Sequence, residues 1–190
     1  MKNFLDKFRR SWIRLNCLLI ADGHKKAIFL KRQGIFHHIG KNVSIKTNKL
    51  PAEPFLVSIH NNVRLAADVR LVTHSLTSEV FNKMLGCNDF YCQYGKIEIH
   101  DNVFVGAGAI IMFGVTIGSN CIVAAGSIVT KNILSGSVVA GIPAKVIGSF
   151  EESMKKSEEF SKKYRGKMKG NTVAEMLTIQ PIDFDIDEKL

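Results

Sequence analysis

Residues 99–140 read, in sixes, IHDNVF, VGAGAI, IMFGVT, IGSNCI, VAAGSI, VTKNIL and SGSVVA. The first place holds Ile99, Val105, Ile111, Ile117, Val123 and Val129 before Ser135 breaks the run. The fifth place is small or β-branched throughout, from Val103 through Ala109, Val115, Cys121, Ser127 and Ile133 to Val139. The second is small at Gly106, Gly118, Ala124 and Gly136. An amphipathic helix needs apolar residues near every 3.6 positions, and an ordinary strand repeats every two. A strict six fits neither. It fits a triangular coil in which each hexad supplies one short strand and one corner. The aliphatic residue points inward, and small residues stand where the backbone turns or approaches a neighbour. Three hexads complete a coil, and successive coils pair their strands in parallel at about 4.8 Å. Stacking buries what one coil alone leaves exposed.

Upstream, Ile39-Gly-Lys-Asn-Val43 and Ile45 share the phase of the later run, whereas Ile59, Leu65 and Leu71 follow in a shifted phase. Two insertions therefore break the count, near Thr47 to Phe55 and from about Ser75 to Gly95. Insertions in a solenoid emerge as surface loops and often carry function. The second holds Phe81, Met84, Leu85, Phe90, Tyr91 and Tyr94, which is too apolar for a solvated loop, so it is expected to lie against something. Both ends read as helical. Phe4, Phe8, Trp12, Leu15 and Leu19 form an apolar stripe near helical spacing, and a second helix is expected from Lys25 to Gln33, stopping near Gly34. Such helices would cap the open end of the coils, where strand edges are otherwise unpaired. Ser149-x-x-Glu152 resembles a capping box that opens a charged helix to about Lys167. The expected organisation is a helical cap over 1–34, coils over 35–148 with a protruding loop at about 75–95, and a helix and tail over 149–190.

Hydrophobic residues make up 46% of the 190, enough for a core, and the charged fraction of 23% argues against disorder. The net charge of +9 is concentrated in the first fifty residues, where Lys and Arg far outnumber the acids. Such a block attracts anionic partners. Without an aromatic RNA-binding signature or zinc-finger spacing it does not point to nucleic acid. Beside the apolar stripe it is compatible with weak contact at a membrane surface. Cys17, Cys87, Cys92 and Cys121 form no C-x-x-C pair, so reduced, buried thiols are expected. The stretch from Cys17 to Ala21 is too short to span a bilayer, and Arg14 and Asn16 interrupt it as a leader core, so the expected place is cytoplasmic.

The hexads, with the ending Ala140-Gly-Ile-Pro-Ala-Lys145-Val-Ile147, resemble the hexapeptide-repeat acyltransferases over roughly residues 35 to 150. The nearest branch looks like the maltose, galactoside and capsular-sugar O-acetyltransferases, with the xenobiotic acetyltransferases as cousins. The resemblance implies a mainly β, left-handed parallel β-helix, an exception to the right-handed crossover rule. It also implies a homotrimer with active sites between subunits, acetyl-CoA as donor and a small sugar as acceptor. In the family a catalytic histidine follows a β-coil and precedes the protruding loop, which here is His74. Ser75 stands where relatives commonly have Asp, so Ser75 or a backbone carbonyl is left to orient the imidazole. The chemistry asks for such a residue, because a sugar hydroxyl attacking a thioester must lose its proton to a base that works near neutral pH. Resemblance assigns the acetyl-CoA groove to Phe104, Gly106, Ala107, Ala125, Thr130, Lys131, Ile142, Pro143 and Lys145. It places Glu53 on the acceptor side.

Other readings stand beside this one. Acceptors of the chloramphenicol type, or the amine of an amino sugar, fit the same family. A zinc hydratase sharing the coil needs three His ligands with a His-x4-His pair. After His74 the next histidine is His100, so no metal is expected. His24, His37 and His38 lie near the basic cap, and His60 and His100 fall in the second place of a hexad, at corners. A non-enzymatic scaffold or membrane-surface module would use the basic amino-terminal helix instead.

Overall fold

A computed structural model describes residues 2–165, with side chains from residue 9 onward. Helix α1 (Lys2–Leu19) leads to α2 (Gly23–Gln33). The Asp22 side chain accepts from the Lys25 N–H, and Gly34 closes α2 at φ 62, a left-handed conformation that suits glycine. The first coil holds β1 (His38–Ile39) and β2 (Ser44–Ile45), and α2 packs on both. The second holds β3 (Val57–Ile59), β4 (Arg64–Leu65) and β5 (Arg70–Leu71). An excursion follows, with β6 (His74–Ser75), α3 (Thr77–Leu85) and β7 (Gln93–Tyr94). The third coil is β8 (Ile97–Ile99), β9 (Val103–Val105) and β10 (Ile110–Ile111), and the fourth is β11 (Thr116–Ile117), β12 (Cys121–Val123) and β13 (Ile128–Val129). A shortened fifth coil passes Ile133 and ends in the antiparallel hairpin of β14 (Ser137–Gly141) and β15 (Ala144–Ser149).

Successive strands of a coil fall in three different parallel sheets, which is the triangular prism the hexads require. One column stacks Ile39, Ile59, Ile99 and Ile117 in register, and a second stacks Ile45, Leu65, Val105, Val123 and Val139. Leu71, Ile111 and Val129 make the third. Ile117 follows Ile99 by eighteen residues, whereas Ile59 follows Ile39 by twenty and Ile99 follows Ile59 by forty. The phase shift read from the sequence is thus absorbed in the two insertions, and the columns stay straight. The three columns and the fifth-place residues between them are buried, and they form the core. At Gly106 an added Cβ would stand 2.4 Å from the Ala125 nitrogen, so the second place is small because neighbouring coils touch there.

One corner carries a feature the second and fifth places do not announce. Asn42, Asn62, Asn102 and Asn120 all have positive φ, and their amides form a ladder, each donating to the next at 2.8–2.9 Å. Asparagine tolerates the left-handed conformation better than other residues with a side chain, and here its amide also ties coil to coil.

Four expectations need correction. In α1 the buried residues are Ile13 and Cys17, whereas Trp12, Leu15 and Leu19 of the expected stripe are exposed. The side chains of Phe4 and Phe8 lie outside the described residues. Trp12 does meet Phe29 of α2, at 5.7 Å between ring centroids. Of the thiols, all free, only Cys17 and Cys121 are buried, while Cys87 and Cys92 are half-buried in the excursion. The excursion is not a plain loop. Thr77–Leu85 contains neither Gly nor Pro and coils into α3, stopped by Gly86 at φ 64, while β6 and β7 pair antiparallel at its base. Nor does its apolar content find cover among the described residues, since Val80, Met84, Leu85, Tyr91 and Tyr94 are all exposed. Residues 1–150 make one compact unit. Beyond it, α4 (Phe150–Lys162) buries no side chain and carries two i,i+4 ion pairs, Lys155–Glu151 and Lys162–Glu158. The expected end near Lys167 lies outside the described residues.

Candidate active site

The end of the second coil and the first insertion meet at one carboxylate. Thr73 and His74 follow β5, and Glu53 comes from the segment that crosses above them between the first and second coils. The Thr73 hydroxyl donates to Glu53 Oε2 at 2.5 Å, and His74 Nδ1 lies 2.8 Å from the same oxygen. Both partners are largely shielded, with the His74 side chain 24% and the Glu53 side chain 20% exposed. Burial pushes the Glu53 carboxyl up. Hydrogen bonds from Thr73 and His74, with the charges of His74 and Arg10, outweigh it and hold the group below its ordinary value. An ionised carboxylate only accepts, so the shared proton sits on Nδ1 and a neutral His74 keeps its lone pair on Nε2. Among the described residues nothing is hydrogen-bonded to Nε2. Tyr94, paired with His74 across β6 and β7, sets its ring 5.5 Å from the imidazole.

This geometry corrects the orientation expected from the sequence. Among the described residues Ser75 makes no hydrogen bond to the imidazole, and its Oγ lies 3.1 Å from Thr77 Oγ1. Glu53, expected on the acceptor side, grips His74. A carboxylate twenty-one residues earlier does what the missing neighbour Asp was expected to do, and only the stacking of coils brings it there.

The remaining sequence-derived positions lie on later coils, and among the described residues none is bonded to His74 or Glu53. Phe104 stands half-exposed on β9 in register between Arg64 and Ile122. Ala107 and Ala125 are exposed corner residues of adjacent coils, and the Gly126 N–H donates to the Ala107 carbonyl at 2.8 Å. Thr130 and Lys131 are exposed after β13. Ile142, Pro143 and Lys145 are exposed at the tip of the β14–β15 hairpin, where the Ile142–Pro143 bond is cis. Together they offer exposed backbone and, among the described residues, two lysines without a bonded partner along one run of coils.

A second cluster was not foreseen. His60 Nε2 lies 3.1 Å from Glu98 Oε1, and the His100 ring stacks on His60 with centroids 4.9 Å apart. Among the described residues these three form the one group with ligand atoms close enough to hold an ion, all within 4.8 Å of one another. The His60–Glu98 contact and the ring stack account for the grouping. Glu98 alternates with Ile97 and Ile99 along β8, which puts it outward beside the corner histidines. That juxtaposition was readable once the coil register was known.

Residues 96–131 match the family described as the hexapeptide repeat of succinyl-transferase. Galactoside O-acetyltransferase of Escherichia coli (strain K12) is 38% identical over 110 residues, which span 58% of this chain and 52% of that protein. A 2,3,4,5-tetrahydropyridine-2,6-dicarboxylate N-acetyltransferase of Clostridium perfringens is 49% identical over 61 residues, 32% of this chain and 26% of the relative. The chain thus spans about half or less of the length of these curated relatives. Among solved structures, a galactoside acetyltransferase in complex with coenzyme A superposes with a TM-score of 0.59, at 24% identity, over 78% of this chain and 82% of that one.

Proposed function

We propose that this chain, whose coils carry the hexapeptide repeat, moves an acetyl group from acetyl-CoA to a sugar hydroxyl by direct transfer, with His74 as the general base. The observation that carries the reading is the 2.8 Å contact between His74 Nδ1 and Glu53 Oε2. It fixes the tautomer and the ring plane and leaves Nε2 as the acceptor of a proton. As the hydroxyl oxygen forms its bond to the thioester carbonyl, Nε2 takes the hydroxyl proton. Glu53 steadies the resulting imidazolium. When the carbon–sulfur bond breaks, Nε2 returns the proton to the departing thiolate. A backbone N–H is the expected donor to the oxyanion. No G-x-S-x-G elbow is present in the sequence, so an acyl-enzyme is not invoked.

The donor groove belongs to the exposed corner residues Ala107 and Ala125, beside the buried Gly106, bordered by Phe104, Thr130 and the Ile142–Pro143 tip. Lys131 and Lys145 suit the CoA phosphates. The coil takes the left-handed sense of its relatives, and the groove is completed by a second copy in a homotrimer. The uncovered apolar side chains of the excursion support such an assembly. Among the described residues no helix is long and apolar enough to cross a membrane. A cytoplasmic setting, in polysaccharide assembly, fits the donor. The likeness to sugar O-acetyltransferases supports a hydroxyl acceptor, and an amine or a chloramphenicol-type hydroxyl would emerge from the same assay. Thiol release from acetyl-CoA over a panel of acceptors tests the reading. In it, His74→Ala is expected to lower turnover by roughly 10²–10⁴. A folded His74→Ala protein with full activity would discard the assignment.

A further inference from the structure

We infer that the acceptor carries a phosphoryl group, held in the cavity between α1 and the segment that bears Glu53. The inference rests on the transfer reading above and names its substrate class. The cavity measures ≈ 280 Å³, near the lower end of small-molecule sites at roughly 300–1,000 Å³. One wall is cationic, with Arg9, Arg10 and Arg14 of α1. The facing wall is apolar, with Ala52, Pro54 and Phe55, and among the described residues no acid lines the space. Glu53 lies between two of these lining residues, and Arg10 is near enough for its charge to lower the Glu53 carboxyl. The cavity therefore shares its wall with the segment that orients His74.

Three arginines line one cavity with no acid among its described lining residues, and cations held near one another repel unless an anion intervenes. Arg9 is partly satisfied, donating to the Gln33 carbonyl at 2.5 Å. Arg10 and Arg14 have no hydrogen-bonding or ion-pair partner among the described residues. Glu53 is the nearby acid, and its Oε2 already serves Thr73 and His74. Among the described side chains, three cations against one carboxylate leave the neighbourhood about two charges positive. A phosphomonoester at neutral pH carries about −1.5 to −2, and guanidinium forks match its oxygens in pairs. The donor's phosphates do not compete for this role. Lys131 and Lys145 stand on the fourth and fifth coils, whereas the cavity lies at the first, with His74 between.

The same helix exposes Trp12, Leu15, Leu18 and Leu19, so the phosphoryl could belong to a soluble sugar phosphate or to a sugar on a lipid diphosphate. Two measurements on the full chain decide. First, inorganic pyrophosphate is titrated calorimetrically at low salt. The wild type is expected to bind it, Arg10→Ala/Arg14→Ala at least 10-fold more weakly, and Arg10→Lys/Arg14→Lys in between. Equal binding by all three, or none by the wild type, overturns the inference even if sugars are acetylated. Second, thiol release is followed with hexoses offered free, as 1-phosphates, as nucleoside diphosphates and as polyprenyl diphosphates. One phosphorylated form is expected to show a KM at least 10-fold below that of its free sugar. The Ala pair should erase that preference while the KM for acetyl-CoA holds. Preference for the nucleotide form identifies the soluble source, and preference for the polyprenyl form the lipid one. Equal KM values for free and phosphorylated sugars sink the inference and leave His74 catalysis standing. Pyrophosphate binding with no transfer to any acceptor would keep the cavity and sink the transfer reading.

Discussion

Ile97, Ile99 and Ile117 in the stacked coils expose none of their surface, whereas Met84 and Tyr91, in the excursion that opens at His74, are 70% and 82% exposed. Both regions are rich in apolar residues, and they differ in what repeats. In the coils each aliphatic residue finds its counterpart one turn away, so the chain covers itself. The excursion occurs once. Its α3 has an apolar face with no second layer among the described residues, and large exposed apolar patches mark sites of association. Self-covering segments make the scaffold, and the segment without a partner marks where a second copy is expected, beside the candidate base.

Substitutions should separate the two regions. Ile99→Ala, in the middle of a buried column, is expected to cost about 2–5 kcal/mol in denaturant unfolding. A loss below 1 kcal/mol would mean the columns are looser than their burial implies. Asn102→Ala removes one rung that accepts from Asn62 and donates to Asn120, and it puts a Cβ without an amide at φ 59. About 1–3 kcal/mol should be lost, and Asn102→Gly should recover part of it. Phe81→Ser with Tyr91→Ser should change the stability of a single chain by no more than about 0.5 kcal/mol, yet shift sedimentation from trimer to monomer. If the trimer survives, the excursion is not the seam.

Smaller still is an acid effect at the junction. The folded Glu53 carboxyl titrates below its ordinary value, so its stabilising contribution is complete above the unfolded pKa of about 4.3. That contribution fades as pH falls through the lower folded value. Wild type and Glu53→Gln should therefore differ in melting temperature near neutrality and converge in strong acid. A gap that widens on acidification would contradict the sign.

The prism was legible because the hexads leave little freedom. Every aliphatic first-place residue from Ile99 to Val129 is buried. The fourth place also held a signal, since Asn102, Gly108, Gly114, Asn120 and Gly126 all take positive φ and are the residue types that do so most readily. That column, read beside the second place, would have located the corners. In α1 two apolar stripes run along one helix, and spacing alone does not say which one meets the cap. Ile13 and Cys17 join the buried core, while Trp12, Leu15 and Leu19 of the longer stripe stay exposed. The Glu53–His74 pair was not legible from spacing. It depends on how an insertion with two extra residues folds over the next coil, which local sequence does not encode.

The most direct test is a cycle of His74→Ala, Glu53→Gln and the double variant, read as kcat for acetyl transfer. A charged hydrogen bond of about 1.5–3 kcal/mol predicts a roughly 10- to 100-fold loss for Glu53→Gln. The double variant should then be no slower than His74→Ala alone. An unchanged kcat in Glu53→Gln, or losses that multiply in the double variant, would show that the two side chains do not act as one unit.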